Sequence, residues 1–265
     1  MTENITGLAK YGKYLALLME RRIVVTHDNG NEPSDWPQYH FSDVGTDDDF
    51  VRELAVDFQE LLHATSIAGV DREAAETALM VLLVDGLLPA YNHLRQIENS
   101  PPHTAMITQT QQVEDFTSAL WRAYKTLFQK LSMTLGFDIG FLFSGTAEFE
   151  KGATIFTSTH PHHAYVIDFL RTQRETWQQG LEGFRNRFIE HRNVSRDGFA
   201  DYYASGRPRA LFENVWKTIE ELVLIFLASH LRSSTGVGIQ RVTKAEQDPR
   251  HPRCFRWVAG SNLER

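Results

Sequence analysis

The most regular alternation of apolar and polar positions in the chain lies in residues 111–135. Val113, Phe116, Leu120, Tyr124, Leu127, Leu131 and Leu135 recur at spacings of three and four, the period of a helix with one buried face. Gly136 follows directly, as a helix stop does. A second such stripe, Phe212, Trp216, Ile219, Val223, Phe226 and Leu227, predicts a helix from about Arg209 to Leu231. A third runs through Phe169, Gln173, Trp177, Leu181, Phe184 and Phe188, with Pro161 suited to its first turn and Thr159 or His160 to its cap.

Upstream, Asp71 is a predicted N-cap. Ala78 to Val84 is apolar all round, which marks a central helix. Gly86 and Pro89 are expected to interrupt it, and a shorter helix is expected to continue to about Ile97, before Pro101-Pro102. Apolar positions 5, 8, 11, 15 and 18 predict a helix from Ile5 to about Arg21. Phe50, Leu54, Phe58, Leu61 and Leu62 predict another behind Asp47, Asp48 and Asp49. Residues 28–49, with Asn29-Gly30, Pro33 and Pro37, read as a polar loop. Residues 137–157 carry two short apolar runs, Phe141 to Phe143 and Ala153 to Phe156, and fit either a short helix or a hairpin. The tail, 234–265, is rich in Gly, Pro and Arg, with a strand expected at Phe255 to Val258.

Long 3.6-period segments dominate, so the expected fold is all-α: a bundle of long antiparallel helices with a small irregular or β-containing C-terminal tail. The expected organisation is an N-terminal helical region at 1–102, a bundle at 103–235 and a tail at 236–265, or all of these as one domain.

Composition narrows the class. Of 265 residues, 42% are hydrophobic and 23% charged, a globular profile with length enough for a real core. The single cysteine, Cys254, excludes an intrachain disulfide and fits a reducing compartment. The first residues lack a signal-peptide pattern, and the longest apolar run, Leu222 to Ala228, falls far short of a membrane span. These features predict a cytoplasmic protein with no membrane association. The net charge of −7 is uneven: residues 1–159 hold 22 acids and 11 bases, whereas residues 160–209 hold 6 acids and 8 bases, all arginine. A modestly basic stretch beside an acidic half fits a polyanion-facing side or an ordinary salt-bridged surface.

The run Phe184-Arg185-Asn186-Arg187-Phe188-Ile189-Glu190-His191-Arg192, late in the third stripe, carries the most suggestive chemistry. With Trp177 at zero on an ideal wheel, Arg185 falls at about +80° and His191 at about −40°, bordering the apolar stripe on either side. Asn186 falls near 180°. The segment resembles the signature of the HEPN superfamily, helical-bundle domains of prokaryotic toxins, defence systems and RNA-processing enzymes. That signature is an arginine, four to six residues and then a histidine, often with a polar residue such as asparagine directly after the arginine. Here Arg185, Asn186 and His191 match it over seven residues, with a helical context at 110–233.

The resemblance implies a metal-independent endoribonuclease that needs no cofactor and assembles its site across a homodimer. Arg185 would stabilise phosphate charge, His191 would transfer protons, and Asn186 would position one of them or bind RNA. Arg187, Arg192 and Arg196 would contact RNA. Other readings stay open. Arg185 could pair with Glu182 or Glu190, with His191 an ordinary polar residue near a helix end; the chain is then a non-enzymatic helical interaction protein whose acidic half docks a protein partner, with an exposed apolar patch expected in residues 1–100. A third reading is a metal-dependent enzyme built on His160, His162 and His163. Against it, adjacent histidines project about 100° apart on a helix, and no His-Glu-x-x-His or Cys-x-x-Cys pattern accompanies them. Trp121, Trp177 and Trp216 are expected in the core.

Overall fold

A computed structural model describes residues 23–25, 39–41, 70–101, 104–186, 206–235, 237–241 and 255–259. The expected helices at 5–21 and 50–62, and most of the Arg-x5-His run, lie outside the described residues. The described part is an all-α fold with two short antiparallel strand pairs. β1 (Ile23–Val25) pairs with β2 (Tyr39–Phe41), with Val24 opposite His40. β3 (Val237–Arg241) pairs with β4 (Phe255–Ala259), with Ile239 opposite Trp257. The expected tail strand is therefore present. The first pair falls partly in a stretch read as loop; its β-branched and aromatic residues favour strands, but three residues are too few to show a two-residue period.

The helices, in order, are α1 (Arg72–Glu98), α2 (Met106–Trp121, Arg122–Phe128 and Gln129–Thr134), α3 (Thr146–Thr159), α4 (Tyr165–Gln173, Arg174–Gln178 and Gln179–Arg185) and α5 (Arg207–Thr235). Short 3₁₀ turns, Gly140–Phe143 and Pro161–His163, precede α3 and α4. Residues 137–157 thus resolve into a 3₁₀ turn and a helix rather than a hairpin. The chain divides into two compact units, one of Met1–Val84 with Glu220–Arg265 and one of Asp85–Ile219.

In the first unit, Asp71 caps α1, its Oδ1 accepting from the Ala74 N–H at 3.1 Å. Ala75, Ala78, Leu79, Leu82 and Leu83 are buried, as are Leu222, Val223 and Phe226 of α5. By length and composition α1 could cross a membrane, with an 18-residue window of mean hydropathy 1.4, but 56% of that window is buried within the protein, as in a core helix.

The second unit holds most of the described core. The predicted α2 stripe is buried from Val113 to Leu135. Gly136 ends the helix in the left-handed region, at φ 88°, and the Phe137 N–H returns to the Ser132 carbonyl at 2.8 Å. The C-terminal part of α1 packs along α2. Gly86 and Pro89 do not interrupt α1; they lie in or beside a π-helical turn, Leu82–Leu87. Proline cannot donate to the carbonyl four residues back, and that carbonyl, of Asp85, accepts instead from Arg122 Nη1 of α2 at 3.2 Å. Gly86 lies where the helices touch: a Cβ there would sit 3.0 Å from Ala123 Cβ. The glycine read as a breaker is therefore a contact residue.

Candidate functional site

Two further π-helical turns lie in the second unit, Arg122–Phe128 in α2 and Arg174–Gln178 in α4. A π turn inserts one extra residue into the helical register and re-aims the side chains around it. These two carry a shared buried polar network. Tyr124, fully buried, donates its hydroxyl to Gln178 Oε1 at 3.2 Å. Gln178 Nε2 donates to the Leu142 carbonyl at 2.7 Å, and Arg174 Nη1 donates to the same oxygen at 3.1 Å. The Arg174 guanidinium also stands over the Phe149 ring, 5.0 Å from its centroid. The Tyr124 ring is packed against Trp177, Phe143 and Phe128. Burial raises the Tyr124 phenol well above its ordinary value of 10.0, because the low-dielectric core disfavours phenolate. The network holds the bundle's interior in one register; it is the scaffold behind the surface where the motif begins.

That surface is reached in the last described turn of α4. Arg185 is half-buried, as its place at the edge of the apolar stripe predicts. Its guanidinium carbon lies 5.8 Å from the centroid of the Trp121 ring, while Lys125 Nζ lies 5.4 Å from the same centroid. Trp121 is itself buried and meets Phe143 edge-on. Arg185 Nη1 also donates to Asn186 Oδ1 at 3.1 Å. On an ideal wheel these neighbours project about 100° apart; the length of the arginine side chain lets its head group reach back to the amide. Arg185 and Asn186 are thus brought together. Arg187, His191, Arg192 and Arg196 lie outside the described residues, as do Glu190 and Cys254.

Of the histidine group, His160 packs against Phe137 and Phe156, with ring centroids 4.7 and 4.9 Å away. His163 meets Phe137 edge-on at 5.8 Å. Their rings belong to an aromatic cluster at the junction of α3 and α4. Among the described residues no group of three or more His, Cys, Asp or Glu side chains is placed to hold a metal ion. Trp121, Trp177 and Trp216 are all in the core, as expected. The exposed large apolar side chains are Met106, Ile107, Met133, Ile155 and Tyr165, none of them in the described part of residues 1–100.

The sequence reading missed Lys125 and the buried pair Arg174 and Gln178. Gln173 and Trp177 were both on the recognised α4 stripe, and Trp177 Nε1 donates to Gln173 Oε1 at 2.9 Å; polar residues inside an apolar stripe were the available signal. Comparison of the chain with family models, with curated proteins and with solved structures found no match.

Proposed function

We propose that the chain is a HEPN-like endoribonuclease that cleaves RNA without a metal ion, acting as a cytoplasmic homodimer in a toxin or defence setting. The observation that supports this reading is the seat of the Arg185 head group in the last described turn of α4. Arg185 is held between an aromatic face and the Asn186 amide, an arrangement that spares much of the ordering cost of presenting a guanidinium to phosphate. The reaction needs a base to take the proton of a 2′-hydroxyl as its oxygen attacks the adjacent phosphorus. It also needs an acid to protonate the departing 5′-oxygen. His191 fills the proton-transfer role, Arg185 neutralises the charge growing on the phosphorane oxygens, and Asn186 positions Arg185. Arg187, Arg192 and Arg196 carry the RNA backbone.

The test is cleavage of single-stranded RNA by the wild-type chain, Arg185→Ala and His191→Ala, each first shown to be folded by circular dichroism. Loss of cleavage by about a hundredfold or more in both variants is expected. Equal cleavage by all three proteins refutes the proposal.

A second reading has one observation in its favour: Arg185 already has partners within its own chain. As a non-enzymatic interaction protein, the molecule would use Arg185 to anchor α4 on Trp121. Arg185→Ala would then lower stability, by about 0.5–1 kcal/mol for the cation–π contact, and no cleavage would be seen in the wild type.

A further inference from the structure

A groove of about 470 Å³ runs along the exposed side of α2, lined by Lys125, Thr126, Gln129, Lys130, Met133 and Thr134. It begins one turn beyond Trp121, the residue that Arg185 covers. We infer that this groove is a track for the phosphodiester backbone of single-stranded RNA, with Lys125 and Lys130 as its two cationic contacts. The choice of RNA as the polyanion rests on the ribonuclease reading; the cationic track rests on the groove itself.

Three observations carry it. First, the charge is local, although Asp138 lies beside Gln129 at one edge of the groove. Residues 116–137 contain Arg122, Lys125 and Lys130 and no acid, in a chain that carries 34 acids and a net charge of −7. Arg122 is engaged with the Asp85 carbonyl. Neither Lys125 nor Lys130 is in an ion pair among the described residues. A chain this acidic repels polyanions over most of its surface, so attraction comes from local basic sites, of which this groove is one and the arginine-rich stretch 160–209 another.

Second, the π turn brings the two lysines to one side. Residues five apart on an ideal α-helix diverge by about 140°. The Arg122–Phe128 turn is wound with bonds to the fifth residue rather than the fourth, which narrows that angle, and both side chains line the groove. Their separation along the axis, about 7.5 Å at α-helical rise and somewhat less through the π turn, is of the order of the distance between successive phosphates in an extended strand.

Third, the groove's other lining suits a strand with exposed bases. Thr126 and Gln129 offer hydrogen-bond donors, and Met133, 55% exposed, offers a polarisable apolar face. Arg185 and Lys125 share the Trp121 ring at the groove's upper end, so the track leads toward the proposed catalytic arginine.

The experiment measures binding, not cleavage. A fluorescently labelled 2′-O-methyl uridine oligomer, which lacks the attacking 2′-hydroxyl, is titrated with the full chain at several salt concentrations between about 50 and 200 mM, following anisotropy. Lys130→Gln, at an exposed position, and Lys125→Gln/Lys130→Gln are compared with wild type. The double variant is expected to bind about tenfold or more weakly, and its plot of log affinity against log salt to be shallower by about 1.4, or 0.7 per lost phosphate contact. Lys130→Gln alone should reduce the slope by about half as much, which keeps the test open should the double variant unfold. Unchanged affinity and slope, or no RNA binding by wild type, overturns the proposal. So does equal competition by a poly-glutamate peptide of matched charge, which would assign the groove to an acidic protein. Lysine-dependent binding without cleavage would leave the track standing and remove the nuclease reading; cleavage that needs Arg185 and His191 but neither lysine would do the reverse.

Discussion

Tyr124 shows how much of this fold depends on single atoms. Its hydroxyl is the only polar group of a ring otherwise enclosed by aromatic side chains, and it satisfies Gln178, whose amide in turn holds the Leu142 carbonyl. Tyr124→Phe leaves the Gln178 oxygen short of a donor and should cost about 1–3 kcal/mol in urea unfolding. The same residue sets an alkaline limit. Its phenol is raised in the folded protein, so above the ordinary value of 10.0 the unfolded chain loses a proton that the folded chain keeps. Stability should therefore fall as pH rises past about 10, by up to about 1.4 kcal/mol per pH unit. Tyr124→Phe should flatten that limb in pH-dependent unfolding curves; an unchanged limb would mean that another group is responsible. Gly152 acts in the opposite sense, through a missing atom. A Cβ there would land inside the Phe141 side chain, so Gly152→Ala should cost about 1–3 kcal/mol, although alanine is the better helix former. Thermal unfolding would show it as a lowered midpoint.

At the level of elements, the helices were legible because each apolar stripe repeats several times. Val113 to Leu135 and Phe212 to Phe226 read correctly for that reason. Helix ends were legible where chemistry marks them. Asp71 caps α1 and Gly136 closes α2, and Asp71→Ala should cost about 1 kcal/mol while Asp71→Asn costs less, by urea unfolding of both variants. The π turns were not legible. Nothing in side-chain propensity separates bonding to the fourth residue from bonding to the fifth, and the choice is made by what packs across the interface. Pro89 was expected to break a helix because a lone helix has no substitute donor for the Asp85 carbonyl. Arg122 supplies one from 37 residues away, a long-range contact that periodicity does not encode. The groove was illegible for the same reason, since ideal winding sends Lys125 and Lys130 to different sides.

For the whole molecule, the part of the candidate site that could be foreseen was Arg185 at the rim of its stripe; its seat on Trp121, 64 positions earlier, could not. The proposed homodimer predicts a sedimentation mass near twice 30.4 kDa and a specific activity that falls on dilution as subunits separate. A monomer with undiminished activity at all concentrations would remove the composite site. The bond from Arg122 to the Asp85 carbonyl has a consequence for how the bundle assembles. A peptide covering residues 70–101 alone would lack the Arg122 donor and should be less helical around Pro89 than the intact chain. In the intact protein the middle of α1 should gain stability when α2 docks against it and Arg122 reaches the Asp85 carbonyl. Amide protons near Leu87 to Tyr91 and near Ala123 to Leu127 should then exchange with deuterium together, as one cooperative unit, and Arg122→Ala should speed the first set more than the second.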